Sequence, residues 1–165
     1  GDNESAEAAA NSVAFTDADA TSALSSEYAH SGTKSVKVTA DSSSTFPALV
    51  LGDGSDIGLT SGKTYIAKAW VYIPSSNSNL NYGGLKVTQS GGGTYSSATA
   101  TLNKWVELVV PFLDDDITKI EYFGQKAGGG AVNNDVMYWD DFSIVELNGN
   151  PAIPAADATT IRQPV

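Results

Sequence analysis

The chain has no cysteine and only one histidine, which removes several kinds of chemistry. Disulfide bonds, thiolate catalysis and cysteine-held zinc are excluded. A histidine-rich metal centre is excluded as well. His30 lies in a Ser-Gly turn, where we expect it to be a solvated surface residue. The run Gly91-Gly92-Gly93 lacks the Lys-Ser/Thr and the helix that follow in a phosphate-binding loop, so nucleotide binding is not indicated.

Basic residues are also scarce. Nine Lys and Arg stand against 19 Asp and Glu, a formal net charge of −10. That balance repels phosphate backbones and anionic membrane surfaces, so neither nucleic acid nor a membrane surface is a predicted partner. No apolar run approaches the roughly 18 residues of a membrane-spanning helix, so no membrane span is predicted.

No persuasive helical pattern is present, and short segments with the alternation of β-strands take its place. They are separated by turns rich in Gly, Pro and Asn, which is typical of a sandwich or barrel. The prediction is an all-β, antiparallel β-sandwich (jelly roll) of eight to nine strands in two sheets. The predicted strands are 34–40, 46–51, 64–73, 84–89, 94–102, 105–112, 117–123 and 136–147.

The two ends of the chain differ from this pattern. Residues 1–12 are small and acidic, and predict a flexible leader. Residues 148–165 contain three prolines and predict a tail or interdomain linker. The sandwich domain is therefore predicted to span residues 13–147.

Four fragments carry a family resemblance: Tyr28–Val38 around Ser31-Gly32, Gly62–Tyr72, Lys104–Leu108 and Tyr138–Ile144 with its Asp-Asp pair. In this order and spacing they resemble the jelly-roll carbohydrate-binding modules of families 4, 9 and 22. The resemblance spans about residues 13–146. It implies a non-catalytic, secreted or cell-surface module that binds a glycan and is linked to a catalytic or surface domain.

The resemblance also implies a structural calcium near the first strand and the closing Asp-Asp. Calcium takes about six to eight oxygen ligands. Asp17 and Asp140 would supply carboxylates here, and Thr33 and Lys34 would supply backbone carbonyls. The alternative is that Asp17 is a solvated loop residue and Asp140 caps a strand end.

A sugar site needs exposed aromatic rings beside polar side chains. Alternation along residues 65–73 places Tyr65, Ala67, Ala69, Val71 and Ile73 on one face of the strand. Lys68, Trp70 and Tyr72 then lie on the opposite, outward face, which predicts an aromatic platform. The alternative is that a loop or the leader covers these rings.

Further candidates lie on other segments. Phe123 is predicted to point outward with Glu121, beside Gln125, whereas Trp139 fits either the core or a platform. The loops 75–84 and 126–134 have the composition of a binding rim, and they contribute Tyr82 and Asn134. The alternative is that both loops are simple connectors.

Catalysis is not predicted. Glycosidase chemistry needs two carboxyl groups at a defined separation, and Glu107 and Glu121 are the only strand-borne candidates outside the termini and the Asp-Asp. The predicted function is carbohydrate binding, and the alternative is an adhesive or spacer domain at the cell surface. Exposure of Trp70 and Tyr72 in a groove would favour binding, and burial beneath the leader would favour the spacer.

Overall fold

The computed structural model describes residues 15–43, 45–52 and 57–147. The predicted leader, 1–12, and the predicted tail, 148–165, lie outside the described residues. Ten strands are found in the described part: β1 (Thr16–Ala18), β2 (Ala20–Ser25), β3 (Ser35–Ala40), β4 (Ala48–Gly52), β5 (Thr64–Tyr72), β6 (Tyr82–Gln89), β7 (Thr94–Thr99), β8 (Trp105–Leu113), β9 (Ile117–Gln125) and β10 (Val136–Glu146). Within these ranges no helix is long and apolar enough to cross a membrane.

The strands form two five-stranded sheets that pack face to face as a β-sandwich. Sheet A has the order β1-β4-β9-β6-β7, and sheet B has the order β2-β3-β10-β5-β8. Every strand pairing is antiparallel. The predicted jelly-roll fold class is confirmed, and all eight predicted segments contain a strand.

The first two strands were not predicted. Residues 16–25 (TDADATSALS) are small and polar and show no apolar alternation, and each strand is an edge strand of its sheet. Between them Asp19 has a φ of 51°, which turns the chain from one sheet to the other. An edge strand has a hydrogen-bonding neighbour on one side only, and neither β1 nor β2 contains a buried residue. The sequence of these strands therefore shows no apolar alternation from which they could be predicted.

The core lies between the two sheets and follows the alternation of the sequence. The side chains of β5 that were predicted to point inward are at most 2% exposed, from Tyr65 to Ile73. On β9, Ile120 and Tyr122 are fully buried, as their alternation predicts. Trp139 is fully buried as well, and packs edge-on against Tyr122 at 5.3 Å between ring centroids. Trp139 is therefore a core residue and has no exposed surface to offer a ligand.

Candidate functional site

The outward residues of β5 carry rings that are already stacked against other rings. Trp70 stacks on His30, with centroids 3.8 Å apart and planes inclined by 16°. Tyr72 stacks on Tyr28 at 4.2 Å and 23°. Both partners belong to the loop between β2 and β3. The two platform candidates are half-buried beneath this loop, which agrees with the alternative that a loop covers them, whereas the leader lies outside the described residues.

His30 is an exposed residue, as its turn predicts, and it also has partners that the sequence did not show. Its Nδ1 lies 2.5 Å from Asp141 Oδ2, and its ring also meets Trp105 edge-on at 5.8 Å. The signal was hidden because these partners are distant in the sequence, Asp141 by 111 residues.

The loop is fastened to a β-bulge in β10. The register between β10 and β5 shifts between Asp140 and Ser143, and Asp141 has a φ of 50°. Asp140 Oδ2 accepts hydrogen bonds from the backbone N–H groups of His30 (2.9 Å) and Ser31 (3.2 Å). Burial raises the pKa of the Asp140 carboxyl, and the neighbouring charge of Asp141 raises it further. These contacts hold the loop across the outer face of sheet B.

The opposite side of the molecule carries a second set of the predicted residues. We define the β6–β9 face by six of the outward side chains of those two strands in sheet A: Tyr82, Lys86, Lys119, Glu121, Phe123 and Gln125. Tyr82 pairs with Gln125 and lies near Phe123, with 6.4 Å between the ring centroids. Both rings are partly exposed. This face therefore combines apolar rings with amide, ammonium and carboxylate groups.

The ring of Phe123 lies over Gly84 on the paired strand. A Cβ at position 84 would come within 2.5 Å of Phe123 Cε1 and closer still to Cζ. The glycine thus leaves the space in which the ring rests on the sheet. On the far side of Gly84, its partner Ala98 of β7 contributes only a methyl group to this surface.

The charged groups of this face form one cluster beside Phe123. Glu121 lies 3.1 Å from Lys86 Nζ and 3.2 Å from Lys119 Nζ. The Lys86 ammonium is also 5.6 Å from the centroid of the Phe123 ring, within cation–π distance. Neither lysine was predicted as a site residue, although the alternation along β6 and β9 is sufficient to place both on the outward side.

The two predicted rim loops are neighbours at one end of this face. Asn81 Oδ1 accepts the N–H of Ala127 at 2.7 Å. The buried Asp135 carboxylate accepts the N–H groups of Ser78, Asn79 and Leu80 at 2.6 to 2.8 Å. Asn134 precedes it, exposed and with a φ of 57°. The loops are therefore held in place rather than loosely connecting the strands.

Of the predicted calcium ligands, Asp140 contacts the loop that contains Thr33 and Lys34, whereas Asp17 lies on a strand of the other sheet. Asp17 belongs to sheet A, and its carboxylate accepts the N–H (3.0 Å) and Oγ–H (2.6 Å) of Ser22. Asp140 belongs to sheet B and faces N–H donors, which are not ligands for a cation. Thr33 is exposed and Lys34 half-buried in the loop before β3. Among the described residues no three His, Asp or Glu side chains form a group able to hold a metal ion. Calcium binding at these residues stays a prediction.

Glu107 and Glu121 do not line a common cleft. Glu107 is on the outward side of β8 in sheet B, and Glu121 is on the outward side of β9 in sheet A. The two outer faces of a sandwich point in opposite directions, so the pair cannot act on one glycosidic bond.

No protein-family model matches the chain, and no curated protein matches it significantly. Solved structures do match. The CBM22-1 xylan-binding domain of Paenibacillus barcinonensis Xyn10C is 15% identical, with a TM-score of 0.59 over 82% of this chain and 86% of that chain. The C-terminal family 22 carbohydrate-binding module of Clostridium thermocellum Xyn10B is 16% identical, with a TM-score of 0.57 over 82% of this chain and 87% of that chain. The fold is that of the jelly-roll carbohydrate-binding modules.

The same jelly-roll fold occurs as part of longer proteins. The CBM22-1–GH10 modules of Clostridium thermocellum Xyn10B, complexed with xylohexaose, match at 12% identity and a TM-score of 0.54. That match covers 82% of this chain but 26% of the longer one. At these identities the likeness establishes the jelly-roll fold, and the function has to be argued from the site.

Proposed function

We propose that this domain is a non-catalytic carbohydrate-binding module that holds a polysaccharide on the β6–β9 face. The observation that carries the proposal is the pairing of two partly exposed rings, Tyr82 and Phe123, with the amide of Gln125 and the charged cluster of Glu121. Sugars present apolar C–H faces ringed by hydroxyl groups, and each hydroxyl gains little by exchanging water for protein. Affinity therefore depends on a rigid apolar surface with polar groups at its border.

The outer face of sheet B supports this role less well. A sugar stacks on the face of an aromatic ring, and the faces of Trp70 and Tyr72 are engaged by His30 and Tyr28. Lys68 lies beside them, 4.0 Å from Glu107. Opening the loop would break the hydrogen bonds to Asp140 and Asp141 before a sugar could stack.

The similar modules suggest which glycan to try first. Two of them are described as xylan-binding or as complexed with xylohexaose, so we propose a xylan-type polysaccharide as the first ligand. We also propose that the domain is secreted or at the cell surface, joined to a catalytic or surface domain. The support is that the same fold is found beside a glycosidase domain in a longer chain.

The test is isothermal titration calorimetry of the wild type, Phe123→Ala and Trp70→Ala with xylan, mixed-linkage β-glucan and other soluble polysaccharides. We expect Phe123→Ala to bind about tenfold more weakly, because a buried aromatic face contributes a free energy of about 1.4 kcal/mol or more. Trp70→Ala serves as the matched aromatic control, and we expect it to bind like the wild type.

Intrinsic fluorescence distinguishes the two faces independently. Trp70 and Trp105 lie on the outer face of sheet B and Trp139 in the core, so no tryptophan lies on the β6–β9 face. A bound glycan on that face should leave tryptophan emission nearly unchanged. A large shift that Trp70→Ala removes would move the site to sheet B. No binding of any glycan by the folded protein would favour the adhesive or spacer function.

A further inference from the structure

The charge on the β6–β9 face is opposite in sign to that of the whole chain. The face carries two lysines and one glutamate, in a chain with a formal net charge of −10. The ammonium-bearing side chains of Lys86 and Lys119 are 38% and 44% exposed, whereas that of Glu121 is 12% exposed. Solvent, and any ligand, therefore meets the ammonium groups rather than the carboxylate.

Strand pairing produces this arrangement. Lys86 lies directly opposite Glu121, and Lys119 lies opposite Thr88, with all four side chains on the outward side. One carboxylate is shared between two ammonium groups, so one positive charge remains uncompensated within the cluster. The corresponding pair on sheet B, Lys68 and Glu107, has one charge of each sign and therefore no excess positive charge.

The excess charge lies where a bound sugar would lie. The Lys86 ammonium lies over the Phe123 ring, 5.6 Å from its centroid. A sugar that stacks on Phe123 would move this flexible, partly exposed side chain to the border of the ring, where its ammonium meets the substituents of the sugar. Lys126, exposed at the end of β9 next to Gln125, adds a further positive charge at the rim. A neutral sugar would hydrogen-bond to these groups without using their charge, whereas a carboxylate would use it.

We propose that the glycan bound on the β6–β9 face carries carboxylate groups, as polysaccharides that contain uronic acids do. This inference rests on the proposed function and narrows the class of ligand for the same face. The carboxylate pairs with Lys86 or Lys119 while the sugar ring stacks on Phe123.

Acidic groups elsewhere oppose the binding of a polyanion, and their positions show why the local charge prevails. Asp115 and Asp116 lie in the turn before β9, four and three residues before Lys119 and outside the ion pairs of the cluster. The Asp17 carboxylate, at the β1 edge of the sheet, is turned to Ser22. Since charges are screened over about 8 Å at physiological ionic strength, a carboxylate at the cluster senses the lysines more strongly than these acids.

The test compares acidic polysaccharides with their own carboxyl-reduced forms, in which each carboxylate has become a primary alcohol. Glucuronoxylan, polygalacturonate and alginate are titrated beside the reduced polymers, at low and at high salt. For the acidic polymer that binds, we expect an affinity at least about fivefold higher than for its reduced form, and we expect salt to remove this difference.

Lys119→Gln tests the assignment to the cluster, because Lys119 contacts Glu121 and not the Phe123 ring. The variant should lower the affinity for the acidic polymer by about fivefold and so remove most of the preference. Lys68→Gln on sheet B makes the same change in net charge and should keep the full preference.

The outcomes separate the inference from the proposed function. Equal binding of the acidic and reduced polymers by the wild type would overturn the inference and leave glycan binding intact. If Lys68→Gln and Lys119→Gln lost the same affinity for the acidic polymer, the preference would be due to the net charge of the protein, and the inference would also be overturned. Binding of neither the acidic, the reduced nor any neutral polymer would overturn the proposed function, and the inference with it.

Discussion

At the scale of the single residue, the Phe123 ring depends on the glycine opposite it. Phe123 and Gly84 are direct partners across β9 and β6. Any side chain at position 84 would stand where the ring rests. The two nearest obstructing atoms are the far end of the Phe123 side chain, so the ring can swing out without disturbing the core. The Cβ of Ala98 would be 3.2 Å from the new methyl group and would have to shift by a few tenths of an ångström.

Gly84→Ala should therefore separate binding from stability. We expect the change in the free energy of unfolding to stay within about 1 kcal/mol. Alanine loses less conformational entropy than glycine when the strand folds, and this gain offsets the strain of the displaced ring. Polysaccharide affinity should fall about as far as in Phe123→Ala. Urea unfolding and calorimetric titration of the same preparations measure both quantities. A variant that binds like the wild type would show that the flat ring is not needed.

At the scale of the element, the loop between β2 and β3 acts as a cover for sheet B. Its two rings stack on Trp70 and Tyr72, and Asp140 and Asp141 fix it from below. Its other end is held by Glu27, which accepts hydrogen bonds from Lys37 Nζ (2.7 Å) and from the hydroxyl of Tyr138. Beneath these contacts Trp70 and Tyr72 are half-buried, while the covering rings of Tyr28 and His30 are exposed.

The Glu27 contact predicts a pH dependence of stability. The hydrogen bond from Lys37 lowers the pKa of the Glu27 carboxyl, and the bond from Tyr138 lowers it further. A carboxyl whose pKa is lower in the folded state stabilises the fold above its unfolded pKa, and this stabilisation is lost as the pH falls through the folded pKa. Glu27→Gln should thus be less stable than the wild type at neutral pH, by a small amount because the side chain is 56% exposed.

Urea unfolding midpoints of the wild type and Glu27→Gln, measured from neutral to strongly acidic pH, test this prediction. The difference should shrink as the pH falls and vanish once Glu27 is protonated in the folded protein. Tyr138→Phe removes one of the two donors and should narrow the difference. A difference that is constant with pH would mean that the charge of Glu27 does not hold the loop.

At the scale of the whole molecule, the two outer faces of the sandwich are used differently. One is covered by its own loop, and the other presents rings and uncompensated lysines to solvent. The closing Asp-Asp belongs to the covered side, where Asp140 is satisfied by N–H donors. The hydrogen bonds to Asp140 hold the β2–β3 loop against sheet B, and they come from N–H groups, which do not bind a cation.

Removal of metal should therefore leave the stability unchanged. We expect the same thermal unfolding midpoint in calcium and in EDTA, because a ligand raises the midpoint only if the folded state binds it. The measurement is differential scanning calorimetry of the protein after dialysis against each. A midpoint that falls in EDTA and recovers with calcium would establish the predicted site, and Asp140→Asn and Asp17→Asn would then identify its ligands.

The sequence by itself determined the fold class and the inward residues of the central strands. Alternation in β5, β8 and β9 identified which side chains enter the core, because a strand with one buried face repeats every two residues. It also placed Phe123 and Gln125 on an outward face. The polar edge strands β1 and β2 were missed because they bury too little to impose that pattern.

Only the tertiary structure decided which outward face is open. Alternation distinguishes inside from outside, but it does not say whether a loop lies on the outside. His30 and Asp141 are more than 100 residues apart in sequence and meet only because β3 pairs with β10. In the same way Lys86 and Glu121 meet across a pairing of distant strands. The covered face and the lysine cluster both depend on these long-range partners, which no local pattern in the sequence contains.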